Sequence, residues 1–311
     1  MRTINREQVL AKAGHVVLLM GGSSSEREIS LLSGQAVASS LINLGVHTTV
    51  IDVGENIVDE LRSAAPDLVV NMLHGQGGED GVIQGLLDLL QIPYTGSGVL
   101  ASSLAMDKVK SKQIWCQMGL ATAPCTVLND ASNWGAVIES FGRAVVKPIY
   151  GGSSLGIAIV DSPGSLETAY KEACEFRQGV MAEKYIEGPE YSTGVLDEEL
   201  LPTILLDTDR DFFDFTAKYV DEGTRIVCPA PLSSERMEAA EALVKSAYSA
   251  LGCCGLARVD FMEDAEGNFT LLEVNTVPGM TSHSIVPKSA ARVGIGFDDL
   301  VLRILDGKLN G

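Results

Sequence analysis

The sequence predicts an α/β chain that opens on a parallel α/β sheet and continues into α+β units with antiparallel strands, and three observations predict it. A buried-type strand at 16–20 runs through Gly22, Ser23, Ser24 and Ser25 into an amphipathic helix and on to a second strand at 48–53. That strand, loop, helix, strand order is how an open parallel sheet begins, with the ligand beyond the carboxyl ends of its strands. Next, the glycine-rich run Tyr150-Gly151-Gly152-Ser153-Ser154-Leu155-Gly156 lies between two strands, 144–147 and 157–160. Third, residues 256–275 read as a hairpin. Its first strand alternates Leu256, Arg258 and Asp260 against Ala257, Val259 and Phe261, 263–268 turns, and 269–275 returns with Glu273 and Asn275 on one face.

Length and composition set the frame. With 311 residues and 46% hydrophobic content the chain can build two or three domains with real cores. The boundaries expected are 1–106, 107–190 and 191–311. No apolar run reaches the length of a membrane span, and residues 1–15, with Arg2, Arg6, Glu7 and Lys12, do not form a secretory signal. A cytoplasmic protein is expected, without membrane partners. The 41 acids against 23 bases give a net charge of -18, which repels nucleic acid over most of the surface. Six cysteines without a C-x-x-C pair predict free, mostly buried thiols.

Taken in order, Ser25 with Glu28 forms a capping box for the first helix, whose apolar stripe is Ile29, Leu32, Ala36, Val37 and Leu41, ended by Gly45. Glu26 then sits beyond the carboxyl end of the first strand. A third strand at 68–73 leads into His74-Gly75-Gln76-Gly77-Gly78-Glu79-Asp80-Gly81, where four glycines in eight residues imply unusual backbone angles or close ligand approach. A turn-rich loop at 93–98 precedes a helix at 101–118 that carries Lys108. Lys147 ends a strand before Pro148, a helix follows near 165–176, and a strand at 180–185 brings Glu183 to Ile186 where side chain and backbone can meet a base. Alternating strands fill 190–206. Residues 209–225 lack periodicity and mix Phe212, Phe213, Phe215 and Tyr219 with Lys218, the pattern of a lid or an interface. A helix at 233–251 and another beginning at 282, with Ser284 in its first turn as an anion site, complete the reading.

The hairpin carries the chemistry. Two carboxylates and an amide, Asp260, Glu273 and Asn275, are too few to complete a coordination shell, so they suit magnesium or manganese that keeps positions for phosphate oxygens and water. Arg258 beside them can stabilise negative charge as it develops. The glycines of 21–25 and 150–156 match neither G-x-G-x-x-G nor G-x-x-x-x-G-K-[ST], so a dinucleotide site or a P-loop is not expected. The second run, between strands, reads as a flap over phosphates, with Lys147 approaching from the other side.

With these parts in hand the chain resembles the ATP-grasp ligases, and within them the D-alanine:D-alanine ligases. The resemblance rests on Gly21-Gly22-Ser23-Ser24-Ser25-Glu26-Arg27-Glu28, Leu73-His74-Gly75 with Gly77-Gly78-Glu79-Asp80-Gly81, Met106-Asp107-Lys108, Val146-Lys147-Pro148, Gly152-Ser153-Ser154, Ala217-Lys218-Tyr219, Arg258-Val259-Asp260 and Glu273-Val274-Asn275-Thr276 through Pro278-Gly279-Met280-Thr281. It implies two ATP-grasp subdomains after the N-terminal sheet, and ATP-driven joining of two D-alanines through a D-alanyl phosphate for peptidoglycan synthesis. In that family Lys108, Lys147, Ser153 and Ser154 meet the nucleotide phosphates. Glu183, Lys184, Tyr185, Ile186 and Glu190 hold adenine and ribose, and Lys218 also reaches the nucleotide. Asp260, Glu273 and Asn275 bind two divalent ions. Glu26 takes the ammonium of the first D-alanine and His74 lies by its carboxylate. Arg258 and the Gly279 amide face the oxyanion, and Ser284, Ile285 and Lys218 take the second substrate. Tyr219 bonds towards Ser153 and Glu26, and a homodimer is implied. Three other readings stand beside it: a non-catalytic nucleotide-binding relative, for which an oxyanion donor is unnecessary; a Rossmann-type oxidoreductase, which lacks its glycine fingerprint here; and a D-alanine:D-lactate ligase.

Overall fold

The computed structural model describes residues 3–152, 156–207 and 225–310, and among them the chain forms three sheets. β1 (His15–Gly21), β2 (His47–Val53) and β3 (Leu68–Asn71) pair in parallel in the order β2-β1-β3. β4 (Cys125–Leu128), β5 (Ala144–Pro148), β6 (Ala158–Val160) and β7 (Val180–Lys184) make an antiparallel sheet ordered β4-β7-β5-β6. β8 (Glu190–Leu196), β9 (Glu199–Leu200), β10 (Ile204–Asp207), β11 (Arg225–Val227), β12 (Leu256–Glu263) and β13 (Phe269–Asn275) form the third, ordered β11-β10-β8-β12-β13 with β9 on β8. Parallel strands first and antiparallel strands after are what the sequence pattern predicts.

The local reasons are readable. In β1, Val16 to Leu19 are fully buried because both faces of a parallel strand are covered, and each contributes roughly 1.5–3 kcal/mol by leaving water. The helix Arg27–Asn43 lies so close to β1 that a Cβ on Gly34 would stand 2.5 Å from Met20. Its inner face is therefore small and polar: Ser30 donates to Met72 O, and Ser33 Oγ accepts from Met280 N. Of the expected stripe Ile29, Val37 and Leu41 are buried, and Leu32, 53% exposed, is the departure. The expected capping box is also absent. Ser25 and Glu28 are exposed, Glu26 occupies the cap position, and Ser24 Oγ accepts from Glu26 N while donating to His74 O.

Two further boundaries differ. The helix expected at 101–118 is two helices, Val99–Met106 and Lys108–Gln117, because Asp107 is extended and its side chain caps the second by accepting from Lys110 N. Ser284 is the N-cap of Ile285–Arg292 instead of a first-turn residue. The cysteines are free among the described residues, but Cys116, Cys174 and Cys254 are exposed, against the expected burial.

One hydrophobic cluster runs from β1 and β3 through the helix Phe297–Asn310 to Leu196, Leu256 and Val286, so the first and last parts of the chain share a core. A second lies between the third sheet and the helix Ser234–Ala250 and takes in Trp115, whose indole donates to Ala247 O. The sheet β4–β7 has its own cluster, built around Val146, Leu166 and Ala182. No helix among the described residues is long and apolar enough to cross a membrane.

Candidate active site

β12 and β13 pair so that Asp260 lies opposite Glu273 and Arg258 opposite Asn275, with the register shifting just after Asp260. Opposite residues share a face, and so do residues two apart, so all four side chains stand on one face as the alternation predicts. The irregularity skips Leu272, and bulges commonly re-aim a side chain beside a site. Arg258 grips Asp260 with two nitrogens: Nη2 is 2.7 Å from Oδ2 and Nε 2.9 Å from Oδ1. Ser192 on β8, opposite Asp260, donates to the same carboxylate at 2.5 Å. Asn275 Oδ1 accepts from Val277 N and turns the chain towards Gly279.

Lys108 reaches this face from the start of its helix. Its Nζ is 3.2 Å from Glu273 Oε2 and donates to Gly151 O at 2.5 Å, at the entry to the glycine-rich run. Behind it lies a buried triad. Glu183 Oε1 is paired with Lys147, and Glu183 Oε2 is 2.8 Å from Lys112 Nζ. Burial pushes this carboxyl up, but Lys112 and then Lys147 outweigh it and hold the group at about 2. Burial likewise works against the charge on Lys147, and Glu183 overcomes it, so the lysine remains an ammonium. Lys184 is exposed, while Tyr185, Ile186 and Glu190 are half-buried; Arg143 stacks over the Tyr185 ring at 4.3 Å.

The N-terminal sheet supplies the other wall. Glu26 and His74 are buried, and a Cβ on Gly152 would stand 3.0 Å from the Glu26 carboxylate. Gly75, at φ +72, leaves room for that carboxylate too, since a Cβ there would come within 2.8 Å of it. His74 donates from Nδ1 to Met72 O at 2.9 Å, which leaves Nε2 as the acceptor of a neutral ring. Burial lowers the imidazole below its usual range and keeps it neutral. A Cβ on Gly279 would lie 4.0 Å from His74 Nε2 and 2.8 Å from Ser284 Oγ, so His74, Gly279 and Ser284 meet. Ser284 Oγ accepts from Thr281 N, and Ile285 begins the helix behind it.

Glu26, His74, Lys108, Arg258, Asp260, Glu273, Asn275, Gly279 and Ser284 thus converge on one cleft, with Lys147 and Glu183 at one end. Ser153, Ser154, Lys218 and Tyr219 lie outside the described residues. Sequence reasoning gave no role to Glu79, Lys112 or Ser192. Glu79 is buried, and burial, followed by the charge of Glu26, raises its carboxyl well above the ordinary range. Lys112 lies one helical turn after Lys108, a signal that could have been used. Ser192 carries none, because its pairing with Asp260 spans 68 residues.

The donor chemistry fits a hard divalent cation: two carboxylates and an amide oxygen on rigid strands. Fold and cleft together define an ATP-grasp enzyme. Comparison with known proteins narrows the class. Models described as D-ala D-ala ligase N-terminus and D-ala D-ala ligase C-terminus match residues 53–97 and 114–306. The D-alanine–D-alanine ligase of Chromohalobacter salexigens is 47% identical over 94% of each chain, and that of Pseudoalteromonas translucida 44% identical over 97% of this chain and 99% of its own. Among solved structures, the Bacillus anthracis D-alanine–D-alanine ligase complexed with ATP superposes with a TM-score of 0.84 at 32% identity, covering 96% of this chain and 98% of that one. The chain belongs to the D-alanine–D-alanine ligase family.

Proposed function

We propose that this protein joins two D-alanines into D-alanyl-D-alanine, driven by ATP and passing through a D-alanyl phosphate, with release of ADP and phosphate, to supply peptidoglycan synthesis. The observation that carries the reading is the register of β12 on β13, which sets Asp260 against Glu273 and Arg258 against Asn275, with Lys108 on Glu273. Binding a nucleotide does not need an arginine pre-oriented beside the metal-type acids; stabilising a developing oxyanion does.

In this reading Lys108 and Lys147 face the phosphates, and Glu183, Lys184, Tyr185, Ile186 and Glu190 hold adenine and ribose. Asp260, Glu273 and Asn275 hold two magnesium or manganese ions, which when bound neutralise charge on the transferring phosphoryl group. Glu26 takes the ammonium of the first D-alanine, whose carboxylate oxygen attacks the γ-phosphorus as ADP leaves. Neutral His74 accepts at Nε2 and orients the groups beside it. The second D-alanine, seated by Ser284 and Ile285, gives one ammonium proton to solvent and its amine attacks the acyl carbon; the second proton leaves the nitrogen with the departing phosphate. The oxyanion formed there meets Arg258 and the Gly279 amide before phosphate departs. No side-chain nucleophile is required. The bidentate grip of Asp260 supports this role for Arg258, since it fixes the guanidinium plane before substrate arrives. A cytoplasmic location, a homodimer and the boundaries 1–106, 107–190 and 191–311 are part of the same proposal.

The test is direct. Purified protein with ATP, magnesium and D-alanine is expected to release phosphate in step with D-alanyl-D-alanine, separated by chromatography. Phosphate release that ignores D-alanine, or that leaves no dipeptide, overturns the reading.

A further inference from the structure

We propose that Lys112 is a positioning residue for the nucleotide: it keeps hold of the Glu183 carboxylate so that Lys147 can leave that carboxylate for the phosphates. This rests on the reading above that Glu183 and Lys147 flank the nucleotide. Lys112 is 2% exposed; its ammonium donates to Thr122 Oγ1 at 2.8 Å and to Ala123 O at 3.4 Å, and lies 2.8 Å from Glu183 Oε2 in a buried ion pair. It is an anchored cation. Lys147 stands at the end of β5, just before the glycine-rich run, and takes the other oxygen of the same carboxylate. One carboxylate between two ammoniums leaves a buried group with a net charge of +1, which favours the arrival of an anion. If Lys147 turned to a phosphate with no second cation behind it, Glu183 would be left as a bare buried carboxylate. Lys112 prevents that.

The anchor also reaches the hairpin. Thr122 Oγ1 donates to Leu271 O at 2.8 Å, and Leu271 N donates to Ala121 O at 2.9 Å, just ahead of the bulge that precedes Glu273. Lys112 therefore joins the base end of the cleft to the strand bearing the metal-type acids.

The test reads equilibrium binding, not turnover. Calorimetry with magnesium-ADP and with adenosine would compare wild type, Lys112→Met, Lys147→Met, Glu183→Gln and the double variant Lys112→Met/Glu183→Gln. Lys112→Met leaves a neutral buried Glu183–Lys147 pair, so the fold should stand; Lys112→Gln, which keeps a donor for Thr122, serves if it does not. Lys112→Met is expected to lose ADP affinity by about tenfold or more, the scale of one charged contact, while adenosine affinity changes by less than about twofold. Adding Glu183→Gln releases Lys147 and should bring ADP affinity back to that of Glu183→Gln alone. A merely structural role for Lys112 would weaken both ligands together and would not be rescued. Wild-type ADP binding by Lys112→Met, equal loss of both ligands, or failure of the rescue overturns the inference while Lys147→Met remains impaired. If Lys147→Met itself binds ADP as wild type does, the placement of Lys147 at the phosphates falls, and this inference with it.

Discussion

Arg258 and Asp260 hold each other, and that makes their separate contributions measurable. Asp260 is 4% exposed and accepts from Arg258 and Ser192; Asp260→Asn keeps one acceptor oxygen for Ser192 and Arg258 Nε, removes the charge and sets an amide NH2 against Arg258 Nη2. Turnover should vanish while the circular dichroism spectrum stays that of wild type and the melting temperature drops by less than for Arg258→Ala; near-normal activity at saturating magnesium would sink the metal assignment. Arg258→Ala removes the donor proposed for the oxyanion, and kcat should fall roughly a hundredfold or more. Here the stability readout matters, because among the described residues Asp260 is left buried with Ser192 as its side-chain donor, and the melting temperature should drop as well. A change confined to KM, with kcat intact, would remove Arg258 from the chemical step.

At the scale of the element, the loop after β3 places a carboxyl where water cannot solvate it. Burial first, and the Glu26 charge second, raise Glu79 well above its ordinary range, against a Gly75 amide bond that pulls it down. Its folded value exceeds the unfolded one, so its contribution to stability is full below the ordinary carboxylate range and is lost as pH rises through the raised value. Melting temperature followed from acid to neutral pH should therefore fall less steeply for Glu79→Gln than for wild type, with the variant the more stable at neutral pH. Parallel curves would mean that Glu79 ionises without penalty. The hairpin shows what sequence can place: period-2 alternation put Arg258, Asp260, Glu273 and Asn275 on one face without knowledge of the fold, because register is pinned once the opposite face is buried. The start of Arg27–Asn43 was misread for the converse reason. Ser25-x-x-Glu28 has a capping signature, but tertiary bonds from Ser24 to His74 and the burial of Glu26 decide where the helix begins. The break at Asp107 is legible as a cap but is lost inside a long apolar pattern; Lys112 shares the face of Lys108 one helical turn on, while the pairing of Ser192 with Asp260 has no local period to encode it.

The whole molecule divides by its cores more than by its chain order. β1, β3 and the helix Phe297–Asn310 share a cluster with Leu196 and Leu256, and Ser97 Oγ exchanges hydrogen bonds with Cys254 N and O across the same seam. Gly255, at φ +67, lets that seam close: a Cβ there would stand 2.8 Å from Gly96 Cα, a backbone atom that cannot step aside. The sheet β4–β7 has its own smaller cluster, packs Val109 of the helix Lys108–Gln117 against Ile149 and Met181, and is tied to the hairpin by the chain Glu183–Lys112–Thr122–Leu271. Segments with few shared buried contacts open at lower free energy than the global core. Amide exchange should accordingly show β5 and β7 opening more readily than β1 and β12 in the free protein. A nucleotide that binds only the unopened form contributes about 2.7 kcal/mol at about a hundred times its Kd, so with magnesium-ADP the protection of β5 and β7 should rise and the difference narrow. Equal protection of the two regions without nucleotide, or a gain confined to β1 and β3 when it is added, would show that the molecule opens as one unit and that the nucleotide is not gripped by the central sheet.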